Sequence, residues 1–144
     1  MSVGTTTATS RHNRLVVHGI VLVARILARC SPRVLTRVLG RVRLGARPAG
    51  YHQAAEARAM VTVVSARCRS PRGCLPRSIA TALLCRTTGS WPTWCVGVRV
   101  TPPFGAHAWV NAEGRDVEEP YPDGYHRVLL RVPPTSTTTG AHGD

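Results

Sequence analysis

The chain has 144 residues, of which 43% are hydrophobic. That is enough for one domain with a modest core, and too many for a disordered protein. The formal net charge is +12, and all 19 basic residues are arginines. Such a charge fits a solvated surface or an acidic partner. Aromatic residues make up only 5% of the chain, and no recognition helix is evident, so we expect no nucleic-acid partner.

The cysteine pattern indicates the cellular compartment. The five cysteines are an odd number and form no C-x-x-C pair, and the polar start MSVGTTTATS is unlike a secretory signal. We therefore expect free thiols in a reducing cytoplasm, with neither a metal site nor a cofactor. The most apolar stretch, residues 15–24, is too short to cross a bilayer, so we expect no transmembrane segment.

The N-terminal part of the chain is predicted to be helical. Residues 1–12 are predicted to be a flexible N-terminus, and residues 13–48 a helical segment. Its first helix covers residues 14–29. The pair Ser31-Pro32 supplies an N-cap and a proline at the first helical position, and Gly40 ends the second helix. A linker is expected at residues 45–50.

The core is predicted to span residues 49–132, with a disordered tail at 133–144. Apolar residues at 57, 60, 61 and 64 indicate an amphipathic helix over residues 52–67. A second helix begins near Cys74, carries Pro76 in its first turn, and ends at Gly89. Its apolar stripe comprises Leu75, Ile79, Ala82 and Leu83.

After Gly89 the apolar pattern changes to a period of two. Strands are predicted at 93–100, 106–111, 115–119 and 126–132. Helices followed by an antiparallel sheet constitute an α+β fold.

The start of the helix at Cys74 suggests nucleophilic chemistry. A helix N-terminus stabilises a thiolate through its free N–H groups and its dipole. A cysteine nucleophile also needs a base, and a third group that orients this base. His107, in the strand AHAWV, is the candidate base. A buried structural thiol and a structural histidine are the alternative interpretations of these two residues.

The third group follows from the hairpin. A three-residue loop at Ala112–Gly114 would pair His107 with Glu119 across the two strands. A two-residue loop would instead place Asp116 and Glu118 on the face of the histidine. Cys30, Cys68, Cys85 and Cys95 are interpreted as core residues, and no comparable group of residues accompanies His18, His52 or His126.

These motifs carry a resemblance to a known family. The string CLPRS at 74–78, the helix ending at Gly89, VGVR at 96–99, Phe104 and AHAWV at 106–110 are together similar to the transglutaminase-like cysteine peptidases of lasso-peptide biosynthesis. The resemblance covers residues 14–132. It implies a papain-related α+β core with a Cys-His-Asp triad, in which Cys74 and His107 match the first two members. The third position falls at Glu119, where this chain has glutamate instead of aspartate, and Glu118 is the fallback.

The resemblance also implies a function. Such enzymes remove the leader from a ribosomally made lasso-peptide precursor. The short members of the family act with a separate leader-binding protein, and a cyclase follows them in the pathway. Two alternatives are open: an acyl-transferring enzyme on the same triad, and a non-enzymatic arginine-rich module that binds nucleic acid or a membrane surface. Steep salt dependence and a dispensable Cys74 would mark the module.

Overall fold

A computed structural model describes residues 3–122 and 124–135 and confirms the α+β prediction. The predicted tail at 133–144 therefore lies mostly outside the described residues. The helices are α1 (Val3–Leu27), α2 (Pro32–Val42), α3 (Tyr51–Val64), α4 (Ala66–Arg69) and α5 (Cys74–Thr87). The strands are β1 (Arg47–Pro48), β2 (Ser90–Trp91), β3 (Thr93–Arg99), β4 (Ala106–Ala112), β5 (Arg115–Asp116) and β6 (His126–Val132).

The N-terminal helices are longer than predicted. Helix α1 begins at Val3 and not at residue 14, so it includes most of the segment predicted to be a flexible N-terminus. The stretch TTTATS lacks apolar periodicity, but a helix that is already packed extends at little cost. Ser31 caps α2 as predicted, accepting a hydrogen bond from the Val34 N–H. That helix continues through Gly40 to Val42.

The helix predicted over residues 52–67 is two helices. Ser65 interrupts it in an extended conformation, and its hydroxyl accepts a hydrogen bond from the Cys68 N–H at 3.2 Å. A serine competes for backbone hydrogen bonds and therefore favours a cap position over a helix interior. Ala57 and Val61 of the predicted stripe are buried, as expected for the face that packs on the core.

Helix α5 lies at the centre of the core. It packs against α1, α3 and β4, with Ile79 and Ala82 fully buried. The Trp94 indole donates a hydrogen bond to the Ser78 hydroxyl at 3.0 Å and so ties the helix to β3. Gly89 follows the helix with a φ of 83°, as the predicted helix end requires. The burial of this helix fixes where its first residue, Cys74, stands relative to the sheet.

The main sheet is antiparallel throughout, as predicted, and its strand order is β5-β4-β3-β6. A second, two-stranded sheet was not predicted. It pairs β1 with β2 in parallel, so the expected linker at 45–50 contains a strand. Within the described residues, no helix has both the length and the hydropathy needed to cross a membrane.

The hairpin between β4 and β5 differs from the prediction. Its loop consists of Glu113 and Gly114, and the pairs are Ala112 with Arg115 and Asn111 with Asp116. The predicted three-residue loop was therefore wrong. Both loop residues have positive φ, 54° and 75°, which a tight two-residue turn demands. Nothing in the sequence marks Glu113 for that conformation, because glutamate rarely adopts it.

Gly97 allows the Arg127 backbone and the Trp109 ring to come close to β3 in the middle of the sheet. The pairing of β3 with β6 shifts register between Val96 and Gly97. A Cβ atom at Gly97 would overlap the Arg127 carbonyl oxygen and lie 3.0 Å from Cη2 of Trp109. A glycine at such a position is typical of an irregular strand where a neighbouring backbone comes near.

We expect Gly97→Ala to lower the free energy of unfolding by about 1–3 kcal/mol, because the added methyl group forces backbone to move. Urea denaturation measures this change. Gly40→Ala is the matched control, because a Cβ there meets no atom within 4 Å. It should leave stability unchanged or raise it by up to about 1 kcal/mol. Equal stability of Gly97→Ala and the natural protein would contradict the close approach.

Candidate active site

Cys74 is the first residue of α5, as predicted. Like the first N–H groups of any helix, its N–H has no partner within the helix, and the dipole there favours a negative charge. The side chain is half-buried, so it is more exposed than the buried cysteines Cys68, Cys85 and Cys95. A sulfur atom at this position is both accessible and close to positive charge.

The surroundings of Cys74 favour its thiolate. Burial acts against ionisation, but a hydrogen bond with the His107 side chain, a hydrogen bond from the Ala108 N–H and the charge of Arg77 outweigh it. The pKa of Cys74 is therefore lowered from its ordinary value. A depressed thiol pKa in a partly exposed position is the signature of a reactive cysteine.

His107 lies in β4, where it pairs with Gly97 of β3. Burial lowers its basicity, but hydrogen bonds with Cys74 and Glu119, together with the negative charges of both groups, raise the pKa of His107 to about 9. The imidazole is therefore protonated at neutral pH, beside a thiol whose pKa is lowered. Each side chain favours the charged form of the other.

Glu119 contacts the other end of the imidazole. Its Oε2 lies 2.9 Å from His107 Nε2, and its side chain is only 5% exposed. This leaves Nδ1 of His107 as the ring atom available to Cys74. The second carboxylate oxygen of Glu119 is 4.0 Å from the Arg58 guanidinium. His107 and Glu119 are thus in direct contact, and the pKa of Cys74 responds to the same imidazole. The roles of the three residues in catalysis remain a prediction.

The contact between His107 and Glu119 arises differently from the prediction. The two-residue loop would place Glu118 on the face of His107 if the strand continued. Strand β5 instead ends at Asp116, and Glu118 adopts a positive φ of 50°. That turn directs Glu118 to Tyr51, whose hydroxyl lies 3.2 Å from its carboxylate. Glu119 then reaches the histidine.

Asp116 has other partners. Its Oδ1 accepts hydrogen bonds from the Trp109 indole at 2.8 Å and from the Asn111 amide at 2.9 Å. These two residues lie two and four positions after His107 on the same strand. Asp116 therefore anchors the face of the strand that carries the histidine, without itself contacting the imidazole.

The other cysteines have different environments. Burial raises the pKa of Cys85 to about 12 and that of Cys95 to about 11. Cys68 is fully buried and Cys30 half-buried. The prediction that Cys68, Cys85 and Cys95 are core residues is confirmed, whereas Cys30 lies outside the buried core. Within the described part of the chain, no group of three or more His, Cys, Asp or Glu side chains is arranged to hold a metal ion.

Aromatic rings surround His107. Trp109 stacks on it with ring centroids 5.7 Å apart, and Tyr121 meets it edge-on at 5.4 Å. His126 also stacks on it at 4.8 Å, a contact that was not predicted from the sequence. His126 belongs to β6, two strands away in the sheet. No sequence signal reports a contact that depends on long-range strand pairing.

A cavity of about 520 Å³ opens on this side of the site. His107 and Glu119 line it, together with Trp109, Tyr121 and His126, whereas Cys74 does not. The cavity therefore borders the His107–Glu119 side of the site.

Comparison with known proteins identifies the family. The model of the transglutaminase-like superfamily matches residues 19–131, most of the chain. The chain belongs to the transglutaminase-like superfamily. No curated protein and no solved structure matches the chain significantly.

Transglutaminase-like domains are generally cysteine proteases and acyltransferases. A cysteine whose thiolate is favoured by a neighbouring histidine suits both reactions, because both form a thioester at a cysteine. They differ only in whether water or an amine resolves it. The match places Cys74, His107 and Glu119 inside the superfamily domain.

Proposed function

We propose that this protein is a cysteine peptidase that removes the leader from a ribosomally made lasso-peptide precursor. The observation that carries the proposal is the contact of His107 with Glu119, with Nε2 of the histidine 2.9 Å from the carboxylate, beside a Cys74 thiol whose pKa the same histidine lowers. The order of the motifs, CLPRS before AHAWV, supports the choice of substrate through the resemblance to leader peptidases.

The proposed reaction has two steps. The Cys74 thiolate attacks the scissile carbonyl carbon, and the resulting oxyanion accepts a hydrogen bond from the Cys74 N–H. The C–N bond then breaks as His107 gives its proton to the leaving amine, which produces a thioester and the freed core peptide. His107 next takes a proton from water, which attacks the thioester and releases the leader. Glu119 keeps the imidazole in one orientation throughout.

The test is mass spectrometry of the products. The protein is incubated with a precursor peptide and a leader-binding protein, both taken from its own gene neighbourhood. Cleavage at one peptide bond, absent with Cys74→Ala, supports the proposal. An intact precursor in the presence of folded protein would overturn it. A product joined to an amine would instead identify an acyltransferase.

We also propose a site of action and a partner. All five cysteines are free, which suits the reducing cytoplasm. The proposed partner is a separate leader-binding protein, and the cyclase of the same pathway would use the released core peptide. Helix α1 offers a contact surface, because it exposes Leu22 and Ile26 beside Arg25, and the exposed Arg29 follows its end. No acidic residue precedes Glu56, so this surface suits an acidic, apolar face.

Binding of that partner is measured by calorimetry. Leu22→Glu combined with Ile26→Glu should weaken the affinity at least tenfold. Val63→Glu, an equally exposed aliphatic position on α3, should not. Unchanged binding by the α1 double variant would exclude this surface.

The pH dependence of cleavage follows from the two shifted groups. Below the lowered pKa of Cys74 the thiol is protonated, and above about 9 His107 loses the proton that the leaving amine needs. We expect kcat/KM to rise with pH on the acid side and to fall near pH 9. Alkylation of Cys74 by iodoacetamide is the control, because it needs only the thiolate. It should not fall above pH 9.

The acid in the proposed triad can be identified by substituting three carboxylates. Glu119→Gln keeps the shape of the side chain but removes the charge that stabilises the imidazolium, so kcat/KM should fall substantially. Glu119→Asp, which keeps a carboxylate, should retain more activity. Glu118→Gln and Asp116→Asn should have mild effects, because neither carboxylate contacts His107.

Each variant must be compared as folded protein, since a strand substitution can also act through stability. A larger loss for Glu118→Gln than for Glu119→Gln would show that Glu118, and not Glu119, orients the imidazole. If none of the three carboxylates matters, the active site is a Cys-His dyad.

A further inference from the structure

His126 is placed against the candidate base from a different strand. Its ring is nearly parallel to that of His107, at 22°, with the centroids 4.8 Å apart. Rings at this distance and angle are in the attractive range for offset stacking. His107 is in β4 and His126 in β6, with β3 between them. The stack therefore spans the central strand of the sheet.

The central strand permits this contact at Gly97. Gly97 is the β3 residue paired with His107, and it carries no side chain that would separate the rings. The pairing of β3 with β6 shifts register there. Across this position Trp109 also reaches His126, with ring centroids 5.4 Å apart. The Trp109 ring occupies the space beside Gly97, 3.0 Å from where a Cβ atom would lie.

His126 is itself held in place by aromatic edges. Tyr121 meets its ring at 88° and Tyr125 at 74°, each with centroids 4.9 Å apart. The side chain is thus fixed in a plane close to that of the His107 ring. The charged groups that influence it are His107, Glu119, Arg99 and Asp116.

We propose that His126 is a positioning residue for His107. Its ring stacks on the imidazole and restricts rotation about the side-chain bonds of His107, so that Nδ1 stays on Cys74 while Nε2 stays on Glu119. This inference rests on the proposed Cys74–His107 pair but not on the identity of the substrate. Burial and the charge of His107 lower the pKa of His126, so it stacks as a neutral ring. A neutral partner does not repel the imidazolium.

The test is the pH dependence of Cys74 alkylation, which requires no peptide. The rate constant for iodoacetamide is measured from acid to alkaline pH, and its midpoint reports how well His107 stabilises the thiolate. His126→Ala should raise the midpoint by about half a pH unit to one unit, the effect of losing one aromatic pair. His126→Phe should restore the natural midpoint, because a phenyl ring stacks without titrating.

Two further variants separate positioning from structure. His126→Asn keeps a polar side chain but cannot stack, so it should behave like His126→Ala and replaces it if the alanine variant does not fold. His18→Ala, at an exposed position on α1, is the control and should leave the midpoint unchanged. A melting temperature is recorded for each variant.

The outcomes are distinct. A raised midpoint in the alanine or asparagine variant and its return in the phenylalanine variant support the proposal. A natural midpoint in folded His126→Ala or His126→Asn overturns it, as does failure of folded His126→Phe to restore the value. If the natural protein does not cleave the precursor, the leader-peptidase function is rejected, but the alkylation result still tests the role of His126.

Discussion

Cys74→Ala is expected to abolish turnover while leaving the fold intact. The thiolate forms the only covalent bond to the substrate in the proposed reaction, and removal of a nucleophile of this kind lowers kcat by about a million-fold. The side chain is small and half-buried at the start of α5, so its loss should change stability little. Precursor cleavage is followed by mass spectrometry, and folding by circular dichroism.

The matched controls are the two buried cysteines. Cys85→Ala and Cys95→Ala should act only through packing, because burial raises the pKa values of both thiols to about 12 and about 11. In the natural protein at neutral pH, iodoacetamide should therefore label Cys74 first. Faster labelling of any other cysteine in the folded protein would refute the assignment of the nucleophile.

His107→Ala has the second-largest expected effect. The imidazolium both stabilises the thiolate and protonates the leaving amine, so kcat should fall by at least about 10²–10⁴-fold. The alkylation rate of Cys74 near pH 7 should fall as well, because the hydrogen bond that lowers its pKa is lost. Cleavage is measured under single-turnover conditions, which separate chemistry from product release.

His52→Ala is the control for this substitution. His52 is an exposed histidine on α3 and lies outside the contacts of the site, so its loss should leave kcat unchanged. Near-normal turnover by His107→Ala, with weakened precursor binding, would show that His107 binds the substrate and does not transfer protons.

Local signals were sufficient to predict the helix that carries the nucleophile. Pro76 in the first turn and Gly89 at the end mark α5, and both operate within a few residues of the helix boundary. The placement of Cys74 at a helix start needed no tertiary information. The period-two pattern likewise located β3, β4 and β6 to within one residue.

The choice of Glu119 was reached through a wrong hairpin. The prediction relied on a three-residue loop, whereas the structure has a two-residue loop followed by a left-handed turn at Glu118. Each change reverses which face a later side chain occupies, and the two reversals cancel. Sequence could not reveal either, because both depend on glutamates in a conformation that the residue type disfavours.

By itself, the sequence determined the secondary structure around the site and two of its contacting residues, Cys74 and His107. Helix and strand signals are local, so they can be recognised in a few neighbouring residues. Only the tertiary structure decided that Glu118 turns to Tyr51, and that His126 crosses the sheet to stack on His107. Those contacts depend on strand order and on individual φ angles, which packing of the whole chain selects.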